Sequence, residues 1–163
     1  MAFDVVSDAS THPDCKWAAG SWHFVRQGSA KRRRVAQSFE YMRNGHSYRY
    51  EIKTYYHALA DANSTLSKPH NISQHMDCES ALKRIKGKIL KPSHTMENDM
   101  DLILAYKKLQ DESIHTVRHE WVMGHADSKK DDPKKITRIE AVNIDCDNDA
   151  NDQVERNDRP PPF

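Results

Sequence analysis

The sequence predicts an α/β domain, a mixed sheet of five strands flanked by helices. Three observations carry that expectation. Three strand-like stretches follow one another at the start of the chain, as neighbouring antiparallel strands do. Beyond residue 48, segments with helical spacing of apolar residues alternate with short strand-like runs, the pattern of helices crossing over a sheet. The chain has 163 residues, about the length of one domain and enough to bury a core without disulfides or metals.

The elements follow in order. Phe3 to Asp8, with Val5 and Val6, reads as the first strand. After a loop carrying Pro13, Trp17 to Val25 (WAAGSWHFV) reads as the second. The basic run Lys31-Arg32-Arg33-Arg34 is expected in the hairpin leading to a third strand, Ala36 to Met42, and Asn44-Gly45 marks a turn. Tyr48 to Leu66 places Ile52, Tyr55, Tyr56, Leu59 and Ala62 on one side of a helix that ends before Pro69. Ile72 to Cys78 is a fourth strand. Ser80 to Ile89 is a helix stopped by Pro92, and Asn98 to Gln110 is a helix with Leu102, Ile103, Tyr106 and Leu109 on one face. Ile114 to Met123 is a fifth strand, Gly124 to Lys135 a polar loop, and Ile136 to Val154 a final helix. No internal repeat or second domain is visible. Residues 1–155 form the expected domain and 156–163, ending Arg159-Pro160-Pro161-Pro162-Phe163, a flexible tail.

Composition excludes several classes. The longest apolar run is Leu102 to Tyr106, far short of the roughly 20 residues of a membrane span. The N-terminus MAFDVVSDAS lacks the basic and apolar regions of a secretory signal, so an intracellular protein, cytoplasmic or nuclear, is expected. Cys15, Cys78 and Cys146 are odd in number and far apart, which argues for free thiols.

The formal net charge of +1 conceals two blocks. Residues 16–53 hold nine Lys or Arg against two acids; residues 140–158 hold seven acids against one Arg. The first block suits a polyanion and the second a divalent cation, although either is also compatible with a solvated face.

Four acids stand at suggestive places. Asp8 ends the first strand, Glu51 opens the first long helix, Asp77 ends the fourth strand and Asp147 lies in the last helix. Strands one and four of a mixed sheet can lie side by side, with a helix adding a third carboxylate. Such a cluster is costly unless a cation neutralises it, and hard oxygen ligands suit magnesium or manganese. Among 24 acidic residues four can always be picked out, so spacing alone does not single these out.

The surrounding segments do more. SDAS at 7–10, SYRYE at 47–51, MDCESAL at 76–82, WVMGHAD at 121–127 and NIDCDNDA at 143–150 occur in this order. Together, from Phe3 to Ala150, they resemble the type 1 ribonuclease H family in the form found in retroelement polyproteins. The resemblance implies the ribonuclease H-like fold, with three antiparallel strands followed by two parallel ones. It implies that Asp8, Glu51, Asp77 and Asp147 bind two Mg2+ ions, with Mn2+ able to substitute. His125 would sit on the loop before the last helix, helping to deprotonate water or release product, and Asn143 would fix that loop or hydrogen-bond the nucleic acid. The implied reaction is cleavage of the RNA strand of an RNA–DNA hybrid, with a reverse transcriptase domain of a parent polyprotein as a further partner and no membrane. The spacing from Asn143 favours Asp147 over Asp145 as the fourth acid.

This chain departs from the family pattern in places. Ala9 stands where glycine is common, Tyr50 replaces a small residue beside Glu51, and Asp149 takes an apolar position, which is expected to weaken helix packing. The alternative reading is therefore a catalytically decayed module of the same fold that binds nucleic acid or supports a polymerase. Lys31, Arg32, Arg33 and Arg34 would contact phosphates if their hairpin borders the substrate groove. Trp17, Trp22 and Trp121 are expected in the sheet and core.

Overall fold

A computed structural model describes residues 2–11, 17–40, 47–87 and 99–156. The strands are β1 (Ala2–Thr11), β2 (Trp17–Arg26), β3 (Arg32–Glu40), β4 (Asn71–Met76) and β5 (Thr116–Trp121). The helices are α1 (Ser47–Thr65), α2 (Glu79–Ile85), α3 (Met100–Glu112), α4 (Ala126–Lys129) and α5 (Arg138–Arg156), with a 3-10 turn at Pro133–Lys135. The strand order is β3-β2-β1-β4-β5. Strands β1, β2 and β3 pair antiparallel, whereas β4 pairs parallel with both β1 and β5. This is the five-stranded mixed sheet that the element order predicts.

Alternation along β1 divides the core into two layers. Val5 faces α1 with Trp22, Phe24, Ala58 and Ala62, while Val6 faces α5 with Val25, Val142 and Cys146. A third cluster joins α1, α2 and α3 through Tyr55, Leu59, Met76, Leu82 and Tyr106. Helix α1 lies so close to β2 that a Cβ on Gly20 would come within 2.2 Å of Thr54 Oγ1. Only glycine permits that approach, which sets how far the start of α1 stands from the sheet.

A polar chain crosses the α1–α3 layer. Gln74 donates to Tyr55 O at 3.1 Å and accepts from the Tyr106 hydroxyl. The Tyr55 hydroxyl lies 2.6 Å from His119 Nδ1, and His119 Nε2 lies 3.1 Å from Gln110 Oε1. Tyr55 donating and Gln110 accepting satisfy a neutral imidazole protonated on Nε2.

Several expectations change. The basic run is largely strand: β3 begins at Arg32, and only Lys31 precedes it. The arginines alternate across the sheet and meet carboxylates on both faces. Arg33 pairs with Asp61 of α1 at 2.9 Å, whereas Arg32 pairs with Asp145 and Arg34 with Asp149, the latter at 2.7 Å, on α5. Asp149 is therefore no packing defect. It also lies 2.8 Å from Nε2 of fully buried His23. Burial alone would raise the Asp149 pKa, but Arg34 and His23 bring it below the ordinary range.

The polar stretch 124–135 contains α4 and the 3-10 turn. Asp132 caps that turn by accepting from Lys134 N, and Pro133 occupies its first position, where a missing N–H costs nothing. Helix α2 ends at Ile85 and α5 starts at Arg138, shifts of a few residues from the expected bounds. Trp17 and Trp22 are buried, but Trp121 is half exposed. Cys78 and Cys146 are free thiols. Cys15, Met42, the Asn44-Gly45 turn, Ile89, Pro92 and residues 157–163 lie outside the described residues. Among the described residues no helix is long and apolar enough to cross a membrane.

Burial pushes the His119 pKa down to about 4, against about 6.5 in an unfolded chain. Between those values the unfolded chain binds the extra proton, so this group makes stability rise with pH. Denaturant unfolding from pH 4 to pH 7 is expected to show that rise reduced by about 2 kcal/mol in His119→Gln. Superimposable pH curves for the two proteins would show that His119 is not held neutral.

Candidate active site

The ends of β1 and β4 bring together residues far apart in sequence. Asp8 sits near the carboxyl end of β1, 4% exposed, and its Oδ1 accepts from Ala9 N at 2.9 Å. Asp77 follows β4 directly. Glu51 projects from the second turn of α1. One carboxylate oxygen from each of the three lies within 4.8 Å of the other two.

Three groups hold Asp77. Asn143 of α5 donates from Nδ2 to Asp77 Oδ2 at 3.3 Å, and the Trp121 indole donates to Asp77 O at 3.1 Å. Gly124 lies against the side chain, where an added Cβ would stand 2.5 Å from Oδ2. The backbone runs on from sheet to site, with Val122 N donating to Met76 O at 3.1 Å.

The electrostatics are unfavourable for three bare anions. Burial raises the Asp8 pKa well above the ordinary carboxylate value, and Asp77 and Asp147 raise it further. Burial likewise raises Glu51, followed by the charges of Asp8 and Asp77. Asp77 is also raised by burial, against the opposing effects of Asn143 and His125. Glu51 Oε2 is buried and has no hydrogen-bond partner. Buried polar atoms are rarely left so. An acidic set of hard oxygens with an orphaned carboxylate oxygen fits a divalent cation of the magnesium or manganese kind.

Asp147 lies beside this trio as a fourth charge. Helical geometry explains why it, and not Asp145, faces the site. Asp145 and Asp149 are four residues apart on α5 and share the face that meets Arg32 and Arg34. Asp147, midway between them, is turned away from that face, and Cys146 points into the core toward Val6 O at 3.3 Å. His125 Nδ1 stands 3.8 Å from Asp147 Oδ2, with its side chain 63% exposed. Its backbone is left-handed (φ 53°, ψ 42°), and its carbonyl accepts from Ser128 N and Lys129 N at the start of α4.

The structure therefore gathers Asp8, Glu51, Asp77, Asp147 and His125, with Asn143 buried behind Asp77. It does not bring Lys31, Arg32, Arg33 or Arg34 to them. Phe3 pairs with Arg26 and Asp8 with Ser21, so the β2–β3 hairpin lies at the opposite end of β1 from Asp8, about 17 Å away at strand rise. Sequence reasoning overlooked the support given to Asp77 by Trp121 and by the missing side chain of Gly124. The available signal is the position of WVMGH, which starts on the last residue of a strand parallel to the one that Asp77 follows.

No protein-family model matches the sequence, and no curated protein matches it. Solved structures do match. Ribonuclease H1 of the halophilic archaeon Halobacterium salinarum superimposes with a TM-score of 0.70 at 13% identity, over 96% of this chain and 100% of that one. The N-terminal ribonuclease H domain of a Mycobacterium tuberculosis protein, solved as a fusion with maltose-binding protein, gives 0.62 at 15% identity over 94% of each chain. A ribonuclease H1 solved in complex with an RNA/DNA hybrid gives 0.57 at 10% identity, over 94% of this chain and 97% of that one. The chain has the ribonuclease H fold.

Repulsion within the carboxylate cluster gives a stability test that needs no substrate. In chelator, Asp77→Asn is expected to melt higher than the parent, by roughly 2–4 °C for each kcal/mol of repulsion relieved. Added Mg2+ or Mn2+ is expected to raise the melting temperature of the parent and to do so far less for the variant. A parent whose melting point ignores both ions would sink the cation assignment.

Proposed function

We propose that this chain is a divalent-metal-dependent endonuclease of the type 1 ribonuclease H family, hydrolysing the RNA strand of RNA–DNA hybrids. The observation that carries the reading is the buried trio Asp8, Glu51 and Asp77, within 4.8 Å of one another, with Asp147 beside it on the fold of known ribonucleases H. One of the matching structures was solved on an RNA/DNA hybrid, which supports the substrate class.

Asp8, Glu51, Asp77 and Asp147 would hold two Mg2+ ions, with Mn2+ as a substitute. When bound, such ions supply charge neutralisation and a water acidic enough to attack a phosphodiester. The residues of the chain provide the frame. Asn143 and Gly124 keep the Asp77 carboxylate turned toward Asp8. His125, on an exposed loop with Nδ1 3.8 Å from Asp147 Oδ2, is placed to pass a proton to or from the reacting groups. Cleavage adds water across the P–O3′ bond and leaves a 3′-hydroxyl and a 5′-phosphate. The 2′-hydroxyl of the RNA strand supplies discrimination against DNA. The likeness of SYRYE at 47–51 to a motif of retroelement ribonuclease H domains supports an origin in a retroelement polyprotein, with a reverse transcriptase domain as its neighbour. Residues 1–155 form the catalytic unit.

A labelled RNA–DNA hybrid incubated with Mg2+, with Mn2+ and with excess chelator tests the reading. Cutting confined to the RNA strand, lost in chelator and in Asp8→Asn, is the expected outcome. His125→Ala is expected to slow turnover by about 10²-fold while retaining ion-induced stabilisation. Hybrid binding without cutting under every condition would replace the enzyme with a decayed binding module.

Gly124→Ala is expected to cut the rate by more than about tenfold, because its Cβ displaces the Asp77 carboxylate, a ligand for which 1 Å matters. Its melting temperature in chelator is expected to stay within a few degrees of the parent. Undiminished cleavage would show that Asp77 is not held by that contact.

A further inference from the structure

The basic hairpin that the active site leaves aside borders a concavity of its own. At the far end of the sheet is a pocket of about 300 Å³. Its floor is apolar, formed by Phe3 of β1, Phe24 of β2 and Leu66 just beyond α1. Phe3 is fixed edge-on against His70, ring centroids 5.1 Å apart.

Its rim is cationic, and among the described residues no carboxylate lines it. Two of the rim cations are already committed. Arg33 pairs with Asp61 and lies over the Phe24 ring at 5.6 Å, and Arg32 pairs with Asp145. The other two, Arg26 and Lys31, are exposed and have no ion-pair partner among the described residues. They flank a firmly held turn. Ser29 N donates to Arg26 O at 3.1 Å, Gln27 N donates to Ala2 O at 3.1 Å, and the guanidinium of Arg138, the first residue of α5, donates to Ser29 O. The free cations therefore stand on a rigid turn beside an apolar floor.

We propose that this pocket binds one nucleotide of a single-stranded nucleic acid. The base lies on the Phe3, Phe24 and Leu66 floor, and its flanking phosphates meet Arg26 and Lys31. Aromatic platforms beside fixed cations are the chemistry by which proteins hold single strands. A run of aspartate and glutamate would satisfy the cations but bring no flat apolar group for the floor. A duplex keeps its bases stacked, whereas a single strand can splay one into a pocket of this size. The site is about 17 Å from Asp8 along β1 and stands whether or not the chain cleaves hybrids. Beside a bound hybrid it would hold an unpaired extension.

Fluorescence anisotropy of labelled 12-nucleotide oligo-dT and oligo-rU, in excess chelator with the full chain, tests the proposal. The parent is expected to bind with an affinity that falls as salt rises. The double variant Arg26→Ala/Lys31→Ala is expected to bind about tenfold more weakly. Its salt slope should be shallower by about 1.4, the value for two lost phosphate contacts at about 0.7 each. Phe3→Leu keeps the floor apolar but removes the ring. It is expected to lose about fivefold in affinity with the slope unchanged. Thermal unfolding of each variant separates lost contacts from lost fold. Parent-like affinity and slope in the double variant would overturn the proposal. Displacement of the oligonucleotide by oligo-glutamate of equal length at equal concentration would overturn it as well, in favour of an acidic-peptide surface.

Discussion

Asp8, Glu51 and Asp77 repel one another across less than 5 Å in a site largely withdrawn from water, and much of the fold is arranged around holding them there. Charges so placed are tolerated only where the surrounding structure over-determines their positions. Asp8 and Asp77 leave adjacent parallel strands at the same end, so the sheet ladder fixes their separation. Glu51 is held by α1, whose distance from β2 is set by the absence of a side chain at Gly20. Asn143, Trp121 and Gly124 close on Asp77 from α5, from the end of β5 and from the segment after it. The groups gripping Asp77 outnumber those gripping the other two carboxylates.

Elsewhere the charges compensate one another. The basic and acidic blocks of the sequence meet in space, β3 against α5. Pairing across a register of alternate residues on β3 and every fourth residue on α5 uses Asp145 and Asp149 for Arg32 and Arg34. Asp147 is left over by the geometry of the helix. The two blocks therefore neutralise each other in part within the fold, whereas Asp8, Glu51 and Asp77 at one end of the sheet and Arg26 and Lys31 at the other have no ion-pair partner among the described residues.

The order of the elements and the helix faces are legible in the sequence because each rests on a local period, whereas Asp8, Glu51, Asp77 and Asp147 stand out from 24 acidic residues only through the family resemblance of the segments around them. The end of β3 that holds Arg32 to Arg34 is not legible, since a basic run reads as a solvated turn until carboxylates from two distant helices face it. Asp149 looked like a flaw for the same reason: its partners His23 and Arg34 are over a hundred residues away. Trp121 lies in the sheet as expected but not in the core: it closes the edge strand β5 and is half exposed. Gly124 carries its meaning in what it lacks, a signal visible only beside Asp77.

The strand order also governs when the site can exist. Strands β1 to β3 form a local meander, whose contacts span short loops and close early. The pairing of β1 with β4 joins residues about seventy positions apart, and Asp147 reaches Asp8 only once α5 has docked across β1 and β2. A chain emerging from the ribosome thus completes its far-end pocket wall on β1 and β2 long before its carboxylates meet. Docking of α5 is thus a closing step, so truncation before Asn143 leaves a sheet that can pair but a site that lacks its fourth acid and the amide that steadies Asp77.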